Sequence, residues 1–363
     1  MKVVLTQSYV PEYRIPLFNA IATRLSDAGA EFVVAAGKPS RLQAQRGDES
    51  RGGPWHRDVP SRALNLGGRL VRCRTLPRDL KGADVLVTEF DAKNMLAWGV
   101  PPHGARKVVL WGHGKPYVTR TNRVNEQLKR LLVSRVAGVM TYTEGGRDHV
   151  VRSLGGDPDS VVAIGNAVDT HVARRARMEA ASSGEGDDLR QRLGGGPHAL
   201  YVGGLDASKR IDFLIAAAQA LRGLNDGSRL IVCGDGVERA RVEEAAAAGD
   251  VHFVGRVGRS QLGAVSASAS AIWVPGRVGL VAVDAVALGL PLYTTDYAFH
   301  APEIEFLREP WLQKLPDDPQ AFASAALTLM ESPLRGEPEL LYDVDDVAQN
   351  FVNCVLRVGS LRP

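Results

Sequence analysis

Short apolar runs alternate along the chain with longer segments in which apolar residues recur at helical spacing. In the first half these runs are three or four residues long and lie at 3–5, 32–35, 85–88, 108–111, 139–142 and 161–164. Runs without polar alternation are typical of strands that are covered on both faces. Because helical segments separate several of them, the pattern predicts an α/β protein with a parallel sheet and helices on both sides.

The segment 272–292 predicts a buried strand, a glycine-bearing turn and a short helix that leads to another strand. The helix is expected to begin near Gly279 and to end at Gly289, a residue type suited to the left-handed position after a helix. Free amides at a helix start favour an anion such as phosphate, and here they belong to Leu280, Val281 and Ala282. Asp284, one turn in, would then accept hydrogen bonds from ribose hydroxyls. An ordinary strand–turn–helix unit with a surface aspartate fits the same pattern.

A second unit of the same kind spans 200–221, where Gly203 and Gly204 form the turn. Its helix begins with Lys209 and Arg210, although cations at a helix start oppose the helix dipole. Their position therefore predicts an anionic ligand that offsets the repulsion. Two solvated basic residues on a surface turn are the alternative.

Two further apolar runs, 230–237 and 251–257, lie between these units and end close to glycines. Ligands of parallel sheets bind at the carboxyl ends of the strands, which is where these glycines and charges fall. Each motif alone is a weak signal. Four of them in this order, within about ninety residues, indicate one shared ligand-binding edge.

This order of motifs resembles the carboxyl-terminal domain of glycosyltransferase family 4, most clearly over residues 200–295. The matching residues are Val-Gly-Gly-Leu-Asp ahead of Lys209 and Arg210, Gly234-Asp-Gly, Phe-Val-Gly-Arg-Val257, and Gly279-Leu-Val ahead of Asp284. Fainter matches lie upstream at 164–169 and at 109–114, the second of which ends in His113 and Gly114.

The resemblance implies a GT-B fold, in which two Rossmann-like, doubly wound domains face each other across a cleft. Residues 1–168 would form an N-terminal domain that binds the acceptor, and 169–343 a C-terminal domain that binds the nucleotide-sugar donor. A polar connection at 172–198 is expected to be partly helical and exposed. The last segment, 344–363, has helical spacing, and in the family the last helix crosses back to the first domain.

The implied enzyme moves a sugar, with retention of anomeric configuration, from a nucleotide-diphosphate sugar to a hydroxyl of a glycan, a lipid-linked or a small-molecule acceptor. Fixed positive charge must stabilise the leaving diphosphate, and Lys209, Arg210 and Arg277 would supply it without a metal ion or another cofactor. His113 would hydrogen-bond the donor sugar, although a histidine beside glycines is also a common structural residue. The donor would further contact Gly203, Gly204, Gly234, Asp235, Val257, Gly279, Leu280, Val281, Asp284 and Glu303.

Two residues depart from the family's pattern in the second domain. Gly204 stands where the family has an arginine, and Gly276 stands where it has the glutamate that meets the donor sugar. Arg277 would restore the lost cation. Glu303, or its neighbour Glu305, would replace the lost acid, unless these acids only begin a helix after a proline.

The turn after the first strand differs as well. Retaining members of the family often carry a Gly-Gly pair there, whereas this chain has Ser-Tyr-Val-Pro-Glu-Tyr-Arg. Tyr9, Tyr13 and Arg14 are therefore candidates for contacts on the acceptor side.

The composition agrees with two globular domains, since the chain has 363 residues, of which 45% are hydrophobic and 23% charged. No apolar run is long enough to span a membrane, and the three cysteines lack metal-ligand spacing. A cytoplasmic protein is therefore expected. A net charge of +3 is too small to indicate nucleic-acid binding.

Positive charge is concentrated in two stretches of the first domain. Residues 41–79 hold nine arginines and four acids, and a second group comprises Lys115, Arg120, Arg123, Lys129, Arg130 and Arg135. Such surfaces bind an anionic acceptor, or anionic lipid headgroups through peripheral contact with the inner face of a membrane. A solvated, arginine-rich surface is the simpler interpretation, and we favour it.

Two other functions share these features, because fold alone does not select among them. A non-hydrolysing sugar-nucleotide epimerase would need paired acid–base carboxylates beside the sugar, and the glycine at position 276 weakens that alternative. A catalytically degenerate nucleotide-binding subunit would account for the glycines at positions 204 and 276. Turnover without acceptor would indicate the epimerase, and nucleotide binding without turnover the degenerate subunit.

Overall fold

The chain forms two compact units. The computed structural model describes residues 1–39, 44, 48–50, 52–66, 69–118, 120, 122–334, 336, 338–339 and 342–360, with the backbone alone at 62–66 and 69–70. Unit 1 comprises Met1–Asp169 and Tyr342–Pro363, and unit 2 comprises Thr170–Leu341. Among the helices described, none is both long and apolar enough to cross a membrane.

Unit 1 is built on a parallel sheet of seven strands. They are β1 (Lys2–Gln7), β2 (Glu31–Ala36), β3 (His56–Asp58), β6 (Val85–Glu89), β7 (Lys107–Gly112), β8 (Gly138–Thr141) and β9 (Val161–Ala163). Their order across the sheet is β3-β2-β1-β6-β7-β8-β9. Six of these strands contain most of a run that the apolar pattern predicts, so the predicted parallel sheet is confirmed.

Helices cover this sheet, which is why its strands are apolar on both faces. They are α1 (Ile15–Asp27), α2 (Arg123–Val133), α3 (Glu144–Leu154) and the last helix of the chain, α11 (Val344–Ser360). α11 packs against α1 and brings the ring of Phe351 to 6.0 Å from Phe32 and 5.5 Å from Trp111, between centroids. The predicted return of the last helix to the first domain is confirmed.

The stretch that the pattern leaves unassigned, between Trp55 and Arg78, holds β3 and an antiparallel hairpin. The hairpin strands are β4 (Ser61–Leu66) and β5 (Arg69–Arg74), and their register pairs Ser61 with Arg74. The Arg72 amide donates to the Lys93 carbonyl at 2.8 Å, which joins the hairpin to the segment after β6.

Unit 2 is built on a parallel sheet of six strands, in the order β12-β11-β10-β13-β14-β15. The strands are β10 (His198–Gly204), β11 (Leu230–Asp235), β12 (Val251–Gly255), β13 (Ala269–Trp273), β14 (Leu292–Thr294) and β15 (Leu312–Lys314). Its helices are α4 (His171–Ser183), α5 (Glu185–Arg192), α6 (Ile211–Leu224), α7 (Arg239–Ala247), α8 (Arg259–Ser266), α9 (Val281–Leu288) and α10 (Pro319–Met330).

The polar connection predicted at 172–198 is helical, as expected, but it is exposed on one face only. Ala173, Ala176 and Ala180 of α4 are buried, because α4 packs against α8. Their spacing of three and four residues forms a narrow apolar stripe. The expectation of an exposed connection was wrong for this stripe, since small alanines among arginines give a weak apolar signal.

Candidate active site

The glycines and charges of unit 2 lie at the carboxyl ends of its central strands. β10 pairs with β11 on one side and with β13 on the other, so the strand order reverses at this point. Ligands of open α/β sheets bind outside the carboxyl ends of the strands at such a switch point. The segments that follow these strands are hydrogen-bonded to one another there, through the Leu205 amide to the Asp235 carbonyl and the Arg277 amide to the Ser208 carbonyl.

Lys209 and Arg277 form the centre of this edge. The Lys209 ammonium donates to the Arg277 carbonyl at 2.5 Å, and the Arg277 amide donates to the Ser208 carbonyl at 2.8 Å. Arg277 is held in turn by its Nε, which donates to the Phe299 carbonyl at 3.1 Å. Two of the three predicted phosphate-binding cations therefore lie side by side on neighbouring segments.

The third predicted cation, Arg210, is turned toward other groups. Its Nη1 donates to the Thr295 hydroxyl at 3.1 Å and to the Asp317 carboxylate, and its guanidinium lies 4.5 Å from the centroid of the Phe213 ring. Its backbone adopts a left-handed conformation with φ 57°. The charge of Arg210 is thus partly offset by Asp317, which the sequence pattern did not indicate.

The close approach of the Lys209 segment accounts for Gly276. A Cβ at position 276 would overlap the Ser208 carbonyl oxygen and the backbone of Lys209. A glutamate at this position would therefore displace the segment that carries Lys209. The departure from the family's pattern at position 276 has a steric reason in this chain.

The other glycine turns pack closely as well. A Cβ on Gly234 would overlap the Gly203 carbonyl oxygen, so the backbones of β10 and β11 approach each other closely where these strands end. The buried Tyr201 hydroxyl donates to the Gly204 carbonyl at 2.6 Å. Asp235 accepts from the Gly236 amide at 2.9 Å and lies 3.6 Å from Arg239, contacts that shape the turn itself.

The helix after β13 begins two residues later than predicted. α9 starts at Val281, with Leu280 as its N-cap, and ends before Gly289, whose φ of 59° confirms the predicted left-handed end. The Ala282 amide donates to the Gly279 carbonyl at 2.9 Å, so it is not one of the free amides. The prediction was wrong for Ala282, because the first turn tightens at its start.

Asp284 is engaged by Arg259, a residue that the order of motifs does not indicate. It is buried in the first turn of α9, and its carboxylate forms an ion pair with Arg259 at the start of α8. Burial raises the pKa of Asp284, and the Arg259 guanidinium opposes that shift. A carboxylate neutralises a cation at a helix start, which gives Asp284 a structural role beside the proposed contact with ribose.

Three further residues lie on segments that follow strands β12 and β14 of the same sheet. Glu303 is buried in a short 3-10 helix at Pro302–Phe306, and Val257 is half-buried after β12. His300 accepts a hydrogen bond at Nδ1 from the Val278 amide at 3.1 Å. Burial lowers the pKa of His300 to about 4, so the ring is neutral near pH 7. His300 was missed because a single histidine after a strand carries no periodic signal.

In unit 1, His113 follows β7 and lies among aromatic rings. Its ring centroid is 5.5 Å from Tyr142 and 6.2 Å from Tyr117. Arg14, only 6% exposed, lies 4.7 Å from the centroid of the Trp111 ring and donates to the Tyr142 hydroxyl at 3.0 Å. The structure therefore brings His113 and Arg14 to one aromatic cluster.

The two tyrosines predicted on the acceptor side lie in different surroundings. Tyr13 is half-buried, with its ring centroid 5.7 Å from the Arg14 guanidinium. The buried Tyr9 hydroxyl donates to Asp48 at 3.1 Å. Tyr13 thus adjoins the aromatic cluster, and Tyr9 packs under the segment that carries Asp48.

The basic group at 115–135 is partly occupied by contacts within unit 1. Lys129 lies 5.6 Å from the Phe90 ring centroid, and Arg135 lies 5.9 Å from that of Trp98. The Arg130 Nε donates to the Ser153 carbonyl at 2.9 Å. Of the arginine-rich stretch 41–79, residues 41–43, 45–47, 51 and the side chains of 62–70 lie outside the described residues.

With this geometry in view, comparison with known proteins defines the class of fold. HepE of Anabaena, in complex with UDP, superposes with a TM-score of 0.60 at 16% identity, over 98% of this chain and 94% of that chain. UDP-GlcNAc 2-epimerase of Methanocaldococcus jannaschii gives 0.58 at 13% identity, over 98% and 100%. Together with the two parallel sheets, this likeness shows the GT-B fold.

Sequence comparison finds a family match within unit 2. Residues 196–332 match the model of the family described as Glycosyl transferases group 1, a stretch that holds all six strands of unit 2. Glycogen synthase of Mycobacterium tuberculosis is 28% identical over 178 residues, which cover 46% of this chain and 39% of that protein. The chain therefore spans less than half of the curated relative that it matches. These findings support a glycosyltransferase.

Proposed function

We propose that this chain is a glycosyltransferase of the family 4 type, which moves a sugar from a nucleotide-diphosphate sugar to a hydroxyl acceptor with retention of anomeric configuration. The observation that carries the proposal is the hydrogen bond from the Lys209 ammonium to the Arg277 main-chain carbonyl, which brings two cationic residues to the switch point of unit 2. Both lie inside the stretch that matches the glycosyl transferase family. In this proposal unit 2 binds the donor and unit 1 binds the acceptor.

In the proposed reaction, the bond between the anomeric carbon and the diphosphate oxygen breaks. The acceptor oxygen forms its new bond on the same face of that carbon, its proton passes to a phosphate oxygen, and the nucleoside diphosphate leaves. Negative charge on the diphosphate grows during this step, so fixed cations stabilise the transition state more than the bound substrate. Lys209 and Arg277 carry this role, and Arg210 contributes less because Asp317 offsets its charge.

We propose further that the reaction needs no divalent metal. The side chains of Lys209 and Arg277 provide two positive charges, and the start of α9 at Val281 adds the positive end of a helix dipole. Electrostatic stabilisation of this kind is the task that a metal ion performs in other phosphoryl-leaving reactions. A cytoplasmic location belongs to the same proposal.

An epimerase is the second candidate, because UDP-GlcNAc 2-epimerase of M. jannaschii has the same fold over its whole length. Epimerisation requires an acid and a base beside the sugar. Glu303 is a buried carboxylate in unit 2, but a second carboxylate at position 276 is sterically excluded. The transferase is therefore favoured.

Calorimetric titration with UDP, GDP, ADP and dTDP, with magnesium or with EDTA, tests the donor site. We expect one nucleotide to bind in preference to the others, with equal affinity in both buffers; UDP is tried first because HepE of Anabaena binds it. The matching nucleotide sugar is then incubated with and without a panel of acceptors, and the product anomer is identified by NMR. Sugar interconversion without acceptor would replace the proposal with the epimerase, and binding of no nucleotide would overturn both.

A further inference from the structure

Unit 1 has a switch point of its own, between β1 and β6. β1 pairs with β2 on one side and with β6 on the other, so ligands of this sheet are expected beyond the carboxyl ends of these two strands. Ser8 follows β1, and Glu89 ends β6. The Ser8 hydroxyl and amide both donate to the Glu89 carboxylate, at 2.5 and 3.0 Å.

The β4–β5 hairpin brings two arginines to this point. Arg72 is fully engaged there, since its guanidinium donates to Asp91 at 2.5 Å and to the Ser8 hydroxyl at 3.0 Å, and lies 3.9 Å from Glu89. The carboxylates of the switch point are thus committed to Arg72 and Ser8.

Arg74 lies two residues further along β5, and its guanidinium differs from that of Arg72 in its hydrogen bonds. Its side chain is 4% exposed, and its Nε and Nη1 are buried without a hydrogen-bond partner among the described residues. Burial lowers the pKa of Arg74, with Glu89 opposing the shift, but a guanidinium stays protonated in proteins. A buried charge without a partner is strongly unfavourable, so this arrangement calls for an anion.

The rest of unit 1 does not supply that anion through its side chains. The side chains of unit 1 that lie outside the description are at 40–43, 45–47, 51, 62–70, 119, 121 and 361–363, and none of them is Asp or Glu. Among the described residues, no carboxylate lies within ion-pair distance of Arg74.

A cavity of about 380 Å³ lies beside the hairpin. It is lined by Gly37, Lys38, Glu49, His56 and Asp58, among others. Its lining residue Gly37 adjoins the hairpin, because a Cβ on Gly37 would be 3.3 Å from the Cβ of Ser61, which pairs with Arg74 in the hairpin register. Such a mixed polar lining suits the hydroxyl groups of a ligand.

We propose that Arg74 binds the anionic group, a carboxylate or a phosphate, of a hydroxyl-bearing acceptor at the switch point of unit 1. The role of this ligand as an acceptor rests on the proposed transferase function, whereas the anion site itself rests on the burial and the unpartnered atoms of Arg74 alone. Arg72 is a positioning residue, which holds Ser8 and Glu89 beside the site.

The test is thermal unfolding of the full chain in chloride, and then with added inorganic phosphate, glucuronate or glucose at matched ionic strength. A ligand of the folded state raises Tm. We expect phosphate or glucuronate to raise Tm of the wild type by several degrees, and glucose to leave it unchanged. Phosphate can also bind in unit 2. The quantity that tests the Arg74 site is therefore the part of the increase in Tm that the Arg74→Met substitution abolishes.

Arg106→Met is the matched control, since Arg106 is an exposed arginine before β7 that pairs with Asp84 at 3.3 Å. Arg106→Met should keep the wild-type increase in Tm. Arg74→Lys should keep some of the part that depends on Arg74, and Arg74→Met should lose that part. In chloride alone Arg74→Met should have a higher Tm than the wild type, because it removes an unpaired buried charge and keeps the side-chain volume. An increase in Tm that is as large in Arg74→Met as in the wild type, a lower Tm of that variant in chloride, or its failure to fold would overturn the site.

Nucleotide calorimetry separates this inference from the proposed function. Arg74→Met should bind the preferred nucleotide as the wild type does. If no nucleotide binds the wild type, but the Arg74-dependent anion increment is present, the anion site stands and the transferase is wrong. If nucleotide binds and no anion raises Tm, the anion site is wrong and the donor site stands.

Discussion

Lys209 lies just before α6, where the helix dipole opposes its charge, and its ammonium donates to the Arg277 carbonyl. Arg210, the next residue, is paired with Asp317, and Asp284 is paired with Arg259. Arg210 and Asp284 each have an oppositely charged partner, whereas Lys209 and Arg277 donate to backbone carbonyls. Only the positions of side chains in space distinguish the two kinds, since all four are charged residues in or close to glycine-bearing turns.

Replacing Lys209 with alanine should weaken nucleotide binding with little effect on folding. Loss of one charge-assisted hydrogen bond to phosphate costs about 1.5–3 kcal/mol, or roughly tenfold to a hundredfold in Kd. Calorimetry with the preferred nucleotide measures the change. Arg192→Ala, at an exposed cation on α5 near the amino end of β10, is the control and should bind like the wild type. Equal affinity of both variants would exclude the phosphate site.

His300 should make unfolding depend on pH in the acid range. Burial lowers its pKa to about 4 from 6.5, so the unfolded chain takes up a proton in this window that the folded chain does not. The contribution of His300 to stability is complete above pH 6.5 and is lost as the pH falls through 4. Denaturant unfolding between pH 7 and pH 4 should therefore show a flatter pH dependence in His300→Asn, which keeps an acceptor for the Val278 amide. An unchanged slope would contradict the assignment.

At the scale of elements, the site depends on how segments after neighbouring strands fit together. The Lys209 segment and the segment from Pro275 to Arg277 are joined by two hydrogen bonds, and the approach leaves no room for a Cβ at position 276. Their shared position follows from the adjacency of β10 and β13 in the sheet. The apolar pattern predicts where each strand lies in the sequence, but it does not predict which strands are neighbours in the sheet.

Gly276→Ala should lower the free energy of unfolding of unit 2 by about 1–3 kcal/mol, the usual cost of forcing a methyl group into a filled space. It should also weaken nucleotide binding, because the Lys209 segment must shift. Gly223→Ala is the matched control, as a Cβ at this position near the end of α6 would meet nothing within 4 Å. Denaturant unfolding and calorimetry of both variants test this steric account, which predicts that Gly276→Glu gains no activity. Equal stability of the two alanine variants would contradict it.

On the scale of the whole chain, the last helix belongs to the first unit. α11 begins more than 170 residues after β9 ends, and it contributes Phe351 and Val355 to the core that also holds Phe18 and Trp111. The two ends of unit 1 are therefore held together by burial of apolar side chains, and unit 2 lies between them in the sequence.

Phe351→Ala should destabilise unit 1 by about 3–5 kcal/mol, since it removes a fully buried ring and leaves a cavity. Thermal unfolding with tryptophan fluorescence reports on it, because Phe351 contacts Trp111. Asn353→Ala, on the exposed face of α11, should leave the transition within about 0.5 kcal/mol. If both variants unfold like the wild type, α11 does not contribute to the core of unit 1.

The sequence by itself determined the class of fold, because buried strands and amphipathic helices must carry apolar residues at their own periods, as in residues 3–5 and in α11. It also indicated the glycine turns and the cations at positions 209 and 277, since these lie in local motifs. Tertiary structure alone decided that Arg210 and Asp284 are paired and that Gly276 has no room for a side chain. It also decided that Nε and Nη1 of Arg74 are buried without a hydrogen-bond partner in the part of the chain that the structure describes. Each of these depends on contacts between residues far apart in the chain, which spacing along one segment does not encode.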